Sequence, residues 1–143
     1  MTKQSYKQFM LSYLHKPYIW GGDDPISGLD CSGLIQELLS PLGLDPKGDQ
    51  TADAIYRLFN LNYPAGEGEV ETGALVFYGS ESFISHVGMI FEGNVMLEAG
   101  GGGSKVLTTQ DAIKQNAYIR LRLYTRRLDL VKIISPLIKW TPE

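Results

Sequence analysis

Apolar and polar positions along the chain change period once, near Gly73. Before it the period is helical. Tyr6, Phe9, Met10, Tyr13 and Leu14 fall on one stripe, and Pro17 stops that helix from running much further. A turn-rich stretch comes next, Gly21-Gly22-Asp23-Asp24-Pro25 and then Ser27-Gly28-Leu29. Leu34, Ile35, Leu38, Leu39 and Leu42 then recur at helical spacing, with Pro41 and Gly43 closing a second helix. Asp30 is a favourable N-cap for it, which puts Cys31 at the first helical position. A third, shorter helix is predicted over residues 51–61 with Ala52, Ile55, Leu58 and Phe59 inward.

After Gly73 the pattern is that of strands. Ala74–Tyr78 is a short apolar run, and His86–Phe91 and Val95–Ala99 flank the turn residues Gly93-Asn94 as a hairpin. Gly100 to Gly103 read as a flexible connection, and Thr109 to Asn116 as a helical turn. Ile119, Leu121 and Leu123 alternate with Arg120 and Arg122, the pattern of a strand with one wet face. Leu128–Ile134 predicts a last strand, and Pro136 limits regular structure beyond it. Helices first and an antiparallel sheet second make an α+β fold, and residues 1–143 show no repeat, linker or second domain.

Composition narrows the function classes. An apolar fraction of 43% with 20% charged residues belongs to a globular chain with a real core. Net charge is −3 and no run of Lys or Arg exceeds two, which argues against a nucleic-acid surface. No apolar stretch approaches the roughly 18 residues of a membrane span. One cysteine excludes an intramolecular disulfide, and with only two histidines a structural zinc site is not expected. The N-terminus carries no apolar signal region or small-residue cleavage site, and reads as an amphipathic helix of the fold.

Against that background Cys31 stands out. Nucleophilic catalysis by cysteine needs a thiolate, a neighbouring imidazole and a group that orients the imidazole. The segment Asp30-Cys31-Ser32-Gly33 starts a predicted helix, whose first-turn N–H groups favour an anion there and suit a developing oxyanion. Gly33 is expected to leave the approach uncrowded. A lone cysteine is more often a small buried hydrophobe, but such residues rarely stand at a helix start after a Gly-rich loop. Of the two histidines, His86 opens a predicted strand that can aim its ring, whereas His15 reads as a solvated residue near a helix C-terminus.

Four blocks carry a family resemblance. Pro17-Tyr18-Ile19-Trp20-Gly21-Gly22, Leu29-Asp30-Cys31-Ser32-Gly33-Leu34-Ile35, Thr72-Gly73-Ala74-Leu75-Val76-Phe77 and Ser85-His86-Val87-Gly88-Met89-Ile90 resemble the successive blocks of the NlpC-type cell-wall cysteine endopeptidases. They stand in that family's order and span most of the chain, roughly Tyr6 to Tyr124. The resemblance implies a papain-like core in which N-terminal helices, one bearing the nucleophile, pack on an antiparallel sheet bearing the base. It implies Cys31 as nucleophile and His86 as general base and then acid, with the Tyr18 hydroxyl near the sulfur. Asp30 and Ser32 are implied as substrate-binding neighbours, a role compatible with Asp30 as N-cap. The family's third polar residue is most often histidine, and here Glu98 occupies that place in Met96-Leu97-Glu98-Ala99. A carboxylate can accept the imidazole N–H and stabilise the imidazolium.

Whether Glu98 reaches His86 depends on hairpin register. If Phe91 pairs with Val95 across the three-residue loop Glu92-Gly93-Asn94, Glu98 faces Gly88, diagonal to His86 on one face at about 7–8 Å between backbones. If Gly93-Asn94 form a two-residue loop with no bulge, Glu92 pairs with Val95 and Glu98 projects from the opposite face. Both registers stay open.

The resemblance further implies hydrolysis of peptidoglycan stem peptides, commonly between γ-linked D-glutamate and a diamino acid, with no metal or cofactor. Without a signal segment, carriage in a phage tail or delivery by a secretion machine would bring such a domain to the wall. A mature fragment that has lost its leader, or a cytoplasmic enzyme of muropeptide recycling, are the alternatives. Two rival functions stand beside peptidase activity: a papain-like amidase or acyltransferase, and a non-catalytic wall-binding or tail-structural domain.

Overall fold

The computed structural model describes residues 1–24, 28–101 and 105–143. Helix α1 (Lys3–Leu11) starts at Thr2, whose hydroxyl caps the Ser5 N–H, and buries Tyr6 and Met10. It ends six residues before Pro17, because the chain turns at His15 into a positive φ of 71° and hands its N–H to Ile119 O. A two-stranded ribbon, β1 (Asp23–Asp24) and β2 (Gly28–Leu29), precedes α2 (Cys31–Leu39). Asp30 caps α2 by accepting the Gly33 N–H at 2.7 Å. Helix α3 (Ala52–Asn62), capped by Thr51, buries Ala52, Ile55, Tyr56 and Phe59. Leu58, expected inward, is 37% exposed; the inward stripe passes through Tyr56 instead.

Strands β3 (Leu75–Ser80), β4 (Phe83–Glu92), β5 (Val95–Gly100), β6 (Tyr118–Leu123) and β7 (Leu130–Ile134) form one antiparallel sheet in the order β6-β5-β4-β3-β7. A short helix, α4 (Thr109–Gln115), joins β5 to β6 and opens with a capping box between Thr108 and Asp111. Leu75, Phe77, Val87, Met89, Leu97, Ala99 and Ile119 join the helices in the main core. Val76, Tyr78, Ile90, Met96 and Ile133 form a smaller apolar cluster with Ala74. The predicted connection over Gly100 to Gly103 is corrected at its start, since Gly100 ends β5; Gly102 and Gly103 lie outside the described residues. Pro25 and Ser27 of the predicted turn also lie outside them.

The β4–β5 hairpin combines the two registers that the sequence allows. Glu92 pairs with Val95 across the two-residue turn, but Phe91 then bulges, and Ile90 pairs with Met96 and Met89 with Leu97. The extra residue restores the three-residue-loop register, so that continuing the ladder sets Glu98 across from Gly88 and diagonal to His86. A second bulge sits beside the histidine. Tyr78 pairs with His86 and Gly79 with Ile84, leaving Ser85 as the extra residue. Asp53, in the first turn of α3, fixes that segment by accepting the Ile84 N–H at 2.9 Å.

Candidate active site

Cys31 occupies the first turn of α2, half-buried, where the preceding loop folds back against the helix. The Asp30 N–H donates to Gly22 O at 3.0 Å. A Cβ on Gly33 would meet that same Gly22 oxygen at 2.2 Å. Gly33 is therefore needed for the close approach of loop and helix, rather than for access to the sulfur as the sequence suggests. This contact sets Tyr18 and Trp20, at the other end of the loop, beside Cys31.

His86 and Glu98 meet on one face of the sheet. The His86 Nε2 lies 2.7 Å from Glu98 Oε1, and the Cys31 sulfur stands beside the same ring, close enough to stabilise its protonated form. With Nε2 engaged by the carboxylate, Nδ1 is the nitrogen left for sulfur. Burial works against a charged ring, but the interactions with Cys31 and Glu98 outweigh it and push the His86 pKa up to about 9.

Glu98 is only 2% exposed, a costly place for a lone carboxylate. It is not alone. Its Oε2 lies 3.4 Å from Arg122 Nη1 and 3.6 Å from Arg120 Nε. Burial favours the neutral acid, yet the hydrogen bond to His86 and the charges of His86, Arg122 and Arg120 hold its pKa below the usual carboxylate range. Arg120 stands directly opposite Glu98 across the β5–β6 ladder, and Arg122 is one pair further along the same face. The predicted wet face of β6 is thus corrected: the two arginines are half-buried against Glu98, while Leu121 and Leu123 are 38% and 48% exposed.

Among the other predicted site residues, Tyr18 is buried and lines the cleft. Its phenol is pushed up by burial and by the neighbouring Cys31 and Asp30. Burial likewise raises the Asp30 carboxyl, against hydrogen bonds from the Gly33 N–H and, at 3.2 Å, the Ser32 hydroxyl. His15 is exposed and lies outside the cleft.

Two cavities meet at Cys31 and share Tyr18, Trp20 and Ser85. One, of about 180 Å³, is lined by His86, Glu98, Arg122 and Arg127. The other, of about 500 Å³, is lined by Asp30, Ser32, Asp49, Phe83 and Ile84. Sequence reasoning assigns no role to Trp20, Phe83, Arg122 or Arg127. Trp20 and Phe83 are 52% and 61% exposed at the cleft, and Arg122 has a signal only in the alternation along β6, which by itself reads as solvation.

The NlpC/P60 family model matches residues 15–123. The chain is 31% identical over 94 residues to probable endopeptidase p60 of Listeria grayi, covering 66% of this chain and 17% of that protein. It is 36% identical over 88 residues to the bifunctional muramidase/DL-endopeptidase CwlT of Bacillus subtilis (strain 168), covering 59% of this chain and 25% of the relative. For murein DD-endopeptidase MepH of Escherichia coli (strain K12) the identity is 28% over 102 residues, 70% of this chain and 37% of the relative. The chain therefore spans well under half the length of these relatives. In structure it is similar to the NlpC/p60 domain of peptidoglycan hydrolase SagA, with a TM-score of 0.64 at 21% identity, covering 94% of this chain and 99% of that domain. An NlpC/P60 family protein from Bacillus cereus ATCC 10987 gives a TM-score of 0.69 at 14% identity, covering 96% of this chain and 41% of that one. These likenesses bear out the expected α+β fold of helices packed on an antiparallel sheet.

Proposed function

Because the chain belongs to the NlpC/P60 family, we propose that it is a cysteine peptidase of peptidoglycan that hydrolyses stem-peptide bonds as a single catalytic domain. The observation that carries this reading is the line of contacts from the thiol of Cys31, through the His86 ring, to the buried carboxylate of Glu98 at 2.7 Å, opening on a cleft. The relatives support a wall peptide substrate, CwlT being a DL-endopeptidase and MepH a murein DD-endopeptidase. The bond proposed here joins γ-linked D-glutamate to a diamino acid, as the family resemblance implies.

Cys31 Sγ attacks the scissile carbonyl carbon while His86 holds the thiol proton at Nδ1. The first turn of α2, apart from the Gly33 N–H that Asp30 accepts, offers N–H groups to the oxygen that gains charge. His86 then gives its proton to the departing amine nitrogen, leaving a thioester on Cys31. Water attacks the thioester with His86 taking its proton, and a free carboxylate leaves as the thiol re-forms. Glu98 keeps the ring in the orientation that presents Nδ1 to sulfur and stabilises the imidazolium between steps.

Purified peptidoglycan digested with the wild-type chain and with Cys31→Ala, then resolved by mass spectrometry, tests the reading. Wild type is expected to release peptides with a new free amine at the diamino acid, and Cys31→Ala to release none. Equal release by both would remove Cys31 from the chemistry. Transfer of the acyl group to added amines in preference to water would favour the acyltransferase reading instead.

A further inference from the structure

The two cavities that meet at Cys31 differ in charge. The larger carries Asp30 and Asp49 among apolar side chains, whereas the smaller carries two guanidinium groups, Arg122 and Arg127. Arg127 lies just beyond β6 and is held in place. Its guanidinium carbon lies over the Tyr78 ring, 4.9 Å from the ring centre, and Asp129 accepts from its Nε at 3.0 Å and its Nη2 at 2.8 Å. Its Nη1 has no protein partner among the described residues. Arg122 spends one Nη1 contact on Glu98 and keeps its other donors. Glu98, the anion of this cavity, is already matched by His86, Arg120 and Arg122.

The proton transfers decide which half of a substrate enters this cavity. His86 must protonate the departing nitrogen, so that nitrogen lies on the His86 side of the sulfur. The cavity lined by His86 therefore receives the leaving-group half, and the opposite cavity the acyl half. A guanidinium fork held over an aromatic ring and by a carboxylate along one edge is suited to a second carboxylate at its remaining donor.

Resting on the peptidase reading, we propose that Arg127, with Arg122, forms a carboxylate-binding subsite for the residue on the leaving side of the scissile bond. The subsite makes the chain selective for leaving residues whose carboxylates are free over those whose carboxylates are amidated. Amidation replaces the anion with a group whose NH₂ would face guanidinium donors, so one charge-assisted contact is lost and a donor meets a donor.

The test compares L-alanyl-γ-D-glutamyl-2,6-diaminopimelic acid having both carboxylates of its last residue free with the same tripeptide having both amidated. Wild type should cleave the free acid with a kcat/KM about 10- to 100-fold higher, the range of a charge-assisted hydrogen bond. Most of that difference should lie in KM. Arg127→Gln should bring the two rates together, and Arg127→Lys, which keeps the charge but loses the fork, should give an intermediate ratio. Equal cleavage of both peptides by wild type would overturn the subsite while leaving the peptidase reading standing, and needs no variant to fold. An undiminished preference in Arg127→Gln would likewise overturn it. Cleavage of neither peptide would overturn the subsite together with the proposed bond.

Discussion

A buried imidazole that holds its proton above neutral pH makes the site a contributor to stability as well as chemistry. The His86 pKa of about 9 lies above its ordinary 6.5, so the folded state binds this proton more tightly than the unfolded chain does. The resulting stability is fully present below about pH 6.5 and is lost as pH rises through about 9. The urea midpoint of the wild type should fall across that window, and Glu98→Gln, which removes one of the two partners that raise the ring, should flatten the fall and lower turnover. A midpoint that declines identically in both would mean that Glu98 does not hold the proton on His86. The two histidines should also separate cleanly. His86→Ala should lower kcat/KM by about 10²–10⁴-fold, as loss of a positioned base does. At His15 the backbone has a positive φ of 71°, so asparagine, which tolerates that conformation, is the fair replacement; His15→Asn should leave the rate unchanged.

At the scale of elements, the start of α2 carries Cys31, the proposed nucleophile, and two separable duties are proposed for Asp30 there. As N-cap it satisfies the Gly33 N–H, and as a half-buried carboxylate on the larger cavity it is proposed to offer charge to a substrate amine. Asparagine can cap but has no charge. Asp30→Ala should cost about 1 kcal/mol in unfolding free energy, while Asp30→Asn should keep nearly all of it. If the charge also binds substrate, Asp30→Asn should still raise KM, measured by steady-state hydrolysis of the free-acid tripeptide. Unchanged KM in a stable Asp30→Asn would reduce Asp30 to a cap. The hairpin β4–β5 shows how much one residue can decide. Without the bulge at Phe91, the two-residue turn would send Glu98 to the face away from His86; with it, the carboxylate and the ring share a face.

Across the whole molecule, the C-terminal segment closes the fold. Strand β7 pairs with β3 at the sheet edge, and the chain then returns to α1, where Trp140 packs against Tyr6 at 5.2 Å between ring centroids and the Thr141 N–H donates to Met1 O at 3.1 Å. Trp140 lines neither cavity at Cys31. Trp140→Ala should therefore lower the unfolding free energy by roughly 2 kcal/mol, less than a fully buried aromatic because the ring is half-buried, with kcat/KM retained. Loss of activity in proportion to loss of stability would instead tie this end of the molecule to the cleft.

Local chemistry by itself determines much of this protein. Asp30 as N-cap, Cys31 in the first turn of α2, the apolar stripes of α1 and α2, the hairpin turn and β6 all come from period, capping and turn preferences, which act over a few residues. The blocks around Tyr18, Cys31 and His86 carry the family likeness for the same reason, since each is a short run of neighbours. Tertiary structure decides what depends on partners far away in sequence. Arg120 and Arg122 look like a solvated face because nothing in the alternation of β6 reveals a carboxylate on β5; the ladder puts Glu98 against them, and attraction to that buried charge outweighs the preference for water. Leu58 shows the converse, an apolar residue left exposed because the surface of α3 beneath the sheet is taken by Tyr56 and Phe59. Gly33 is open to several local explanations until Gly22 O is found 2.2 Å from where its Cβ would stand. Glu98 itself is a choice between two faces, and only the packed sheet, by forcing a bulge rather than burying the wrong side chains, resolves it.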